Sequence, residues 1–204
     1  MFHVKHEGWA ALPDLDVPLV PEQISLLERY EEFLVERAAP MGMIAPSDVP
    51  RLRERHILDS LRAVPLLPPG TDTVCDLGSG AGLPGIPLAI ALPDVQFTLV
   101  EVRHNRAAFL ETAVGALGLE RVTVHARRLE TFRSPVDVCL ARAFAPAPKA
   151  WESAERLLDA SGILVYWAGA TFDPDADIPP GVDVALFPTS ALARSGPLAI
   201  MTRQ

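Results

Sequence analysis

The chain has little lysine, little cysteine and no surplus of positive charge. Of its 18 basic side chains 16 are Arg and only 2 are Lys, and 26 acidic residues bring the net charge to −8. That balance excludes a non-specific nucleic-acid binder, which needs a broadly basic surface. The scarcity of Lys beside 20 Pro and much Ala reflects a GC-rich coding sequence more than a function. Two cysteines, Cys75 and Cys139, lie in strand-like apolar runs without C-x-x-C or His spacing. They are expected to be inert buried thiols, and no metal site is expected. No apolar run approaches the ~20 residues that span a bilayer. The opening MFHVKHEGWA lacks the apolar core of a secretory signal, so a soluble cytoplasmic protein with no membrane partner is expected. There is no internal repeat and no low-complexity tract beyond the short loop DPDADIPP at 173–180.

What the chain does contain is 204 residues, enough for one domain with a sizeable core and a small extension. Its charge is uneven: residues 51–149 hold 12 basic against 10 acidic side chains, which leaves −10 for the two ends. A local site for a polyanion is compatible with that distribution.

PEQISLLERYEEFLVERA at 21–38 places Ile24, Leu27, Tyr30 or Glu31, and Leu34 at helical spacing, with Pro21 in the first turn. A second helix is predicted over 48–64, capped by Ser47 or Asp48 with Pro50 in its first turn. Beyond PLLPPGTD the rhythm becomes strand and helix in alternation. Strands are expected at 73–77, 97–101, 122–126, 136–141 and 163–168, and helices at 84–91, 103–117 and 147–159. This predicts a parallel α/β sheet. Two last strands, 182–187 and 197–203, have no helix between them and can close the sheet as an antiparallel hairpin. The domain reading is a helical extension over 1–66 packed on a main domain over 67–204.

The segment CDLGSGAGLPGIP at 75–87 has four glycines within eight positions. Gly80, Gly82 and Gly85 satisfy the dinucleotide pattern G-x-G-x-x-G, and Glu101 follows Gly80 by 21 positions. The first glycine after the strand, however, is Gly78, and the spacing from it is G-x-G-x-G. Asp76, two residues earlier, would sit poorly beside a diphosphate and well beside an ammonium or sulfonium. S-adenosylmethionine carries both cations and no phosphate. The absence of G-K-[S/T] excludes a Walker loop. The glycines let the backbone approach a ligand closely, and Glu101, at the end of its strand, can accept from vicinal ribose hydroxyls. After the fourth strand stands LARAFAPAP (140–148) in place of the N-P-P-Y or D-P-P-Y loop of many amino-group methyltransferases. An acceptor with a free lone pair, such as guanine N7, needs neither that loop nor a general base, and catalysis would rest on proximity and orientation.

Four stretches taken together, RHILDS (55–60), DLGSGAGLPGIPL (76–88), RAAFL (106–110) and ARAFAP (141–146), resemble the bacterial 16S rRNA guanine-N7 methyltransferase family, RsmG or GidB. The resemblance covers roughly residues 50–170. It implies a Rossmann-like class I S-adenosylmethionine-dependent methyltransferase, with a mostly parallel seven-stranded sheet. The implied reaction is methyl transfer to one guanine N7 in the decoding-region loop of 16S rRNA. Carried over by position, the cofactor contacts are Gly78, Leu83, Leu129, Glu130 and Arg142, which join Asp76, Gly80 and Glu101. By the same resemblance Leu129 and Glu130 would border the adenine. The resemblance also puts Arg142 at the mouth of the cofactor and substrate sites, where it would orient a carboxylate or phosphate bidentately.

Arg142 and His56 are the candidate catalytic residues. Arg51, Arg55, His56, Arg103, Arg106, Arg127 and Arg128 are candidates for RNA phosphates. Two readings stay open for RHILDS: a site border, or an Arg55–Asp59 salt bridge at i, i+4 beside a half-buried His56. Two features depart from the family pattern: MGMIAP (41–46) replaces its N-L-T element, and VYWAGA (165–170) lacks its lysine. The start MFHVKH resembles actinobacterial members, and its codons can be written as a palindrome matching a centromere-like DNA site. The acidic balance favours an assembled 30S particle over naked rRNA as the partner, and a monomer is favoured. The competing readings are an S-adenosylmethionine-binding assembly factor without turnover and an NAD-dependent dehydrogenase.

Overall fold

The computed structural model describes residues 17–169, 172–188 and 196–204, so the MFHVKH peptide lies outside the described residues. Seven strands form one sheet: β1 (Thr73–Leu77), β2 (Gln96–Val100), β3 (Val122–His125), β4 (Val136–Ala141), β5 (Leu158–Trp167), β6 (Val182–Phe187) and β7 (Leu198–Arg203). Their order is β3-β2-β1-β4-β5-β7-β6. The first five pair in parallel. β7 runs antiparallel between β5 and β6. β1 and β4 are central, and their apolar side chains are covered on both faces, which is why they read as continuous hydrophobic runs rather than alternating ones.

The 21–38 helix is α1 (Pro21–Phe33), extended by π turns over Leu34–Ala38. The predicted 48–64 helix is composite. It runs as a 3₁₀ turn at Val49–Arg51, π turns at Arg53–Leu58 and a short α2 (Asp59–Leu61). Asp48 occupies the N-cap position without a capping bond, because its carboxylate faces Arg55 and His56 instead. The remaining helices are α3 (Gly85–Ala91), α4 (His104–Leu117), α5 (Ala147–Glu155) and α6 (Pro174–Asp177). Gly118 ends α4 at φ 68°, a left-handed C-cap that glycine adopts without strain.

Two expectations need correction. DPDADIPP is not only loop: the Asp173 carboxylate accepts the Asp175 N–H at 3.0 Å and starts the one turn of α6. The helix expected over 147–159 stops at Glu155, and β5 starts at Leu158. There Leu158 pairs with Val136 before a register irregularity, and Gly162 leaves room for the Leu158 side chain, to which a Cβ at 162 would come within 3.0 Å.

The core lies in layers on the two sheet faces. On one, Leu27, Tyr30, Leu34, Leu52, Ile57 and Leu61 from the first two helical segments interlock with Ile86, Ile90, Leu99, Phe109 and Leu110. Each such burial contributes about 1.5–3 kcal/mol. Gln23 ties α1 to α3, donating to the carbonyls of Ile90 and Ala91 at 3.0 Å each. The opposite face packs Trp151, Ala154 and Leu157 against Cys75, Leu77 and Cys139. Cys75 and Cys139 are fully buried, directly opposed across β1 and β4. Among the described residues no helix is long and apolar enough to cross a membrane, and no cluster of three ligating side chains could hold a metal.

Candidate active site

In an open parallel sheet, ligands bind beyond the carboxyl ends of the strands where the order reverses, and here that point falls between β1 and β4. The chain leaves β1 at Leu77 and turns through Gly78, Gly80 and Gly82, all at positive φ (69°, 57° and 89°). A Cβ on Gly78 would lie 2.7 Å from the Phe144 ring. At Gly85, the first residue of α3, it would lie 2.4 Å from Leu99 and 2.7 Å from Asp76 Oδ2. Side chains are therefore excluded by space at Gly78, Gly82 and Gly85, and by backbone conformation at Gly78, Gly80 and Gly82.

Two carboxylates frame this turn. Asp76 is 1% exposed and accepts the Gly85 N–H at 3.2 Å. Burial pushes its carboxyl up to about 7, against the pull of its hydrogen bonds and of Arg142. Glu101, also buried, follows β2 and accepts the Gly80 N–H at 3.2 Å and the Arg103 N–H at 2.8 Å, one on each oxygen. It thus braces the turn from the next strand. Gly78, Gly80 and Leu83 are half-buried along the same turn. Leu129 is half-buried and Glu130 exposed in a 3₁₀ turn after β3, Leu129–Thr131. Next to it, Thr131 Oγ1 donates to the Arg128 carbonyl at 2.6 Å and stands 2.8 Å from His125 Nε2.

Beyond β4 the guanidinium of Arg142 reaches into the π turns of Arg53–Leu58. It donates to the carbonyls of Arg55 (2.8 Å) and His56 (3.3 Å) and to His56 Nδ1 (3.0 Å). Asp59 Oδ2 lies 3.3 Å away. Since arginine can only donate, Nδ1 is an acceptor, and the ring proton sits on Nε2, which faces Asp48 at 3.3 Å. His56 is therefore neutral, and burial, followed by the Arg142 charge, holds its pKa below the usual histidine value. Arg142 is depressed too, mainly by burial, with Asp59 opposing.

The Arg55–Asp59 pair, one of the two readings left open for RHILDS, does not form. Arg55 approaches Asp48 at 3.4 Å, while Asp59 bonds Arg62 at 2.7 Å and faces Arg142. Competing partners account for this: Asp48 takes Arg55, while Arg62 and Arg142 take Asp59. Of the remaining arginines, Arg51 is exposed at the end of its 3₁₀ turn, and Arg127 and Arg128 are exposed side by side after β3. Arg103 and Arg106 line a groove of about 520 Å³ together with Met41, Met43, His104 and Asn105. The structure thus gathers Asp76, the glycine turn, Glu101 and the Arg103–Arg106 groove, with Arg142 and His56 forming a network at the β4 end whose charge is felt at Asp76.

Three residues here escaped the sequence reading. Phe144 covers Gly78 and follows Ala143, the one non-glycine residue at positive φ (51°) among those described. Val102, 61% exposed beside Glu101, is an apolar side chain left in solvent at the site's mouth. Tyr30 is fully buried and donates from its hydroxyl to the Ala81 carbonyl at 2.7 Å. Helical spacing marked Tyr30 only as a core candidate; nothing in the sequence pairs it with a residue 51 positions on.

A family model described as rRNA small subunit methyltransferase G, GidB, matches residues 23–176. Proteins named ribosomal RNA small subunit methyltransferase G are similar over most of the chain. That of Acidothermus cellulolyticus is 43% identical over 145 residues, 71% of this chain and 65% of its own length. That of Thermobifida fusca is 40% identical over 153 residues, 74% and 64%. That of Clavibacter sepedonicus is 36% identical over 175 residues, 85% and 82%. The chain spans just under two thirds of the length of the first two curated relatives. Among solved structures, a mutant of MtNAS in complex with S-adenosylmethionine superimposes with TM-score 0.61 at 18% identity, over 89% of this chain and 76% of that one. The glycopeptide N-methyltransferase MtfA complexed with S-adenosylmethionine gives 0.53 at 12% identity, over 70% and 91%. These likenesses, with the strand order, assign the fold: a Rossmann-like class I methyltransferase sheet closed by an antiparallel hairpin.

Proposed function

The chain belongs to the GidB family of small-subunit rRNA methyltransferases, and on that premise we propose that it methylates N7 of one guanine in the decoding-region loop of 16S rRNA, using S-adenosylmethionine. The observation that carries this reading is the pair of buried carboxylates, Asp76 and Glu101, around a single glycine turn. Two acids so placed repel a diphosphate and suit a ligand bearing cations and hydroxyls. Asp76, raised to about 7 in isolation, is the group a neighbouring cation would return to its ionised form. Each Glu101 oxygen takes one backbone N–H and keeps a lone pair for a ribose hydroxyl. Gly78, Gly80 and Leu83 would line the amino-acid end, with Leu129 and Glu130 beside the adenine.

When bound, the cofactor supplies an electrophilic sulfonium methyl; in-line transfer to N7 moves positive charge from sulfur to base, with no proton to remove. The neutral His56, engaged at both ring nitrogens, suits a reaction without a general base. Arg142 and His56 then serve by fixing the 53–58 turns at the mouth, and Arg51, Arg55, Arg103, Arg106, Arg127 and Arg128 meet RNA phosphates. With a net charge of −8, phosphate attraction is weak, so the substrate is the guanine presented by an assembled 30S particle to a monomeric enzyme. Mapping N7-methylguanine in 16S rRNA from a deletion strain, with and without the gene restored, tests the proposal. Restoration of one missing site is expected, and an unchanged map overturns it.

A further inference from the structure

Within the glycine turn, the peptide plane between Ala81 and Gly82 rotates about ψ of Ala81 and φ of Gly82. Gly82, at φ 89°, puts no Cβ in the way of that rotation. The plane is held from two sides. Its N–H, on Gly82, donates to the Ser79 carbonyl at 2.7 Å, and its carbonyl, on Ala81, accepts from the Tyr30 hydroxyl at 2.7 Å. The second hold comes from α1, in the segment that precedes the sheet. Tyr30 is fully buried, and burial raises its pKa well above the ordinary phenol value, so the hydroxyl stays a donor. A Cβ on Gly82 would come within 3.0 Å of that oxygen, so the fit between the two is close. Two peptide planes earlier in the same turn, the Gly80 N–H bonds Glu101, so the Tyr30 hold and the carboxylate hold act on one short stretch of backbone.

We propose that Tyr30 is a positioning residue for the cofactor site: its hydroxyl locks the Ala81–Gly82 plane, which makes the amino-terminal helix part of the binding machinery. The inference rests on the proposed function for the identity of the ligand. Tyr30→Phe keeps the ring and removes the lock. Gln23→Ala is the control, because it removes two bonds from the same helix to the far end of α3.

The test is S-adenosylhomocysteine binding by calorimetry on the full chain, with Tm and loop-amide hydrogen exchange measured alongside. Tyr30→Phe is expected to weaken binding roughly tenfold, the effect of one buried hydrogen bond. It should raise KM for the cofactor more than it lowers kcat, and speed exchange at Gly82 and Leu83. Gln23→Ala should lower Tm and leave affinity within about twofold, as expected for a distant site. Wild-type exchange rates at Gly82 and Leu83 in Tyr30→Phe overturn the inference, as does an affinity loss shared equally by Gln23→Ala. Failure of the wild-type protein to bind S-adenosylhomocysteine instead overturns the proposed function, and the exchange rates still decide the lock.

Discussion

Asp76 carries a carboxyl group at the carboxyl end of β1 with almost no solvent around it, and its pKa of about 7 follows from that desolvation. For an acid raised in this way the native state holds a proton that the unfolded chain has lost between about pH 4 and 7, so stability falls as pH rises through that window. Asp76→Asn should therefore raise the stability of the ligand-free protein at pH 8 by roughly 1–3 kcal/mol, read as Tm, while reducing S-adenosylmethionine affinity. Binding at pH 6 should release close to one proton, seen by calorimetry in buffers of different ionisation enthalpy, and binding at pH 9 none. His56 has the opposite sign. Its lowered pKa means the unfolded state takes up the proton first, so stability drops as pH falls below the ordinary histidine value. Protonation would also turn Nδ1 from an acceptor into a donor facing Arg142. Replacing Arg142 by Lys keeps the charge and loses the fork that spans two carbonyls, a ring nitrogen and a carboxylate. A fall in kcat/KM of about 100-fold is expected, with the Tm change as the control for folding.

At the scale of elements, the glycine turn and α3 act as one unit. Gly85→Ala would drive a methyl group into Leu99 and the Asp76 carboxylate, both buried. Overpacking of this kind costs roughly 1–3 kcal/mol, and methyl transfer should be lost together with stability in thermal melts and activity assays. This turn was legible in the sequence because its chemistry is local: the glycine register, Asp76 and the strand-end Glu101 all lie within one β-α-β unit. The 48–64 helix was legible only as a helix. Its π turns, which present two carbonyls to Arg142, lie between a core layer shared with α1 and an arginine 86 positions away. The early start of β5 was hidden for the same reason. Leu157 and Leu158 suit either state, and pairing with Val136 decided for strand.

For the whole molecule, the shared layer in which Leu27, Leu34, Leu52 and Ile57 meet Ile86, Leu99 and Phe109 makes the helical segment and the sheet one cooperative body. A fragment beginning at Leu67 would expose that layer and is expected not to fold, giving neither a cooperative melt nor dispersed amide NMR signals. The alternation of strands and helices made the parallel sheet readable, and the adjacency of two terminal strands made the hairpin readable. The contact between residue 30 and residue 81 was not, since it belongs to the way α1 crosses the sheet face. The two cysteines, read as inert, add a practical handle. Both thiols sit fully buried between the central strands β1 and β4, where a modifying reagent arrives only when the middle of the sheet comes apart. Their alkylation rate is thus a built-in clock for global opening, blind to fraying at the loops and ends, and it needs no engineered label.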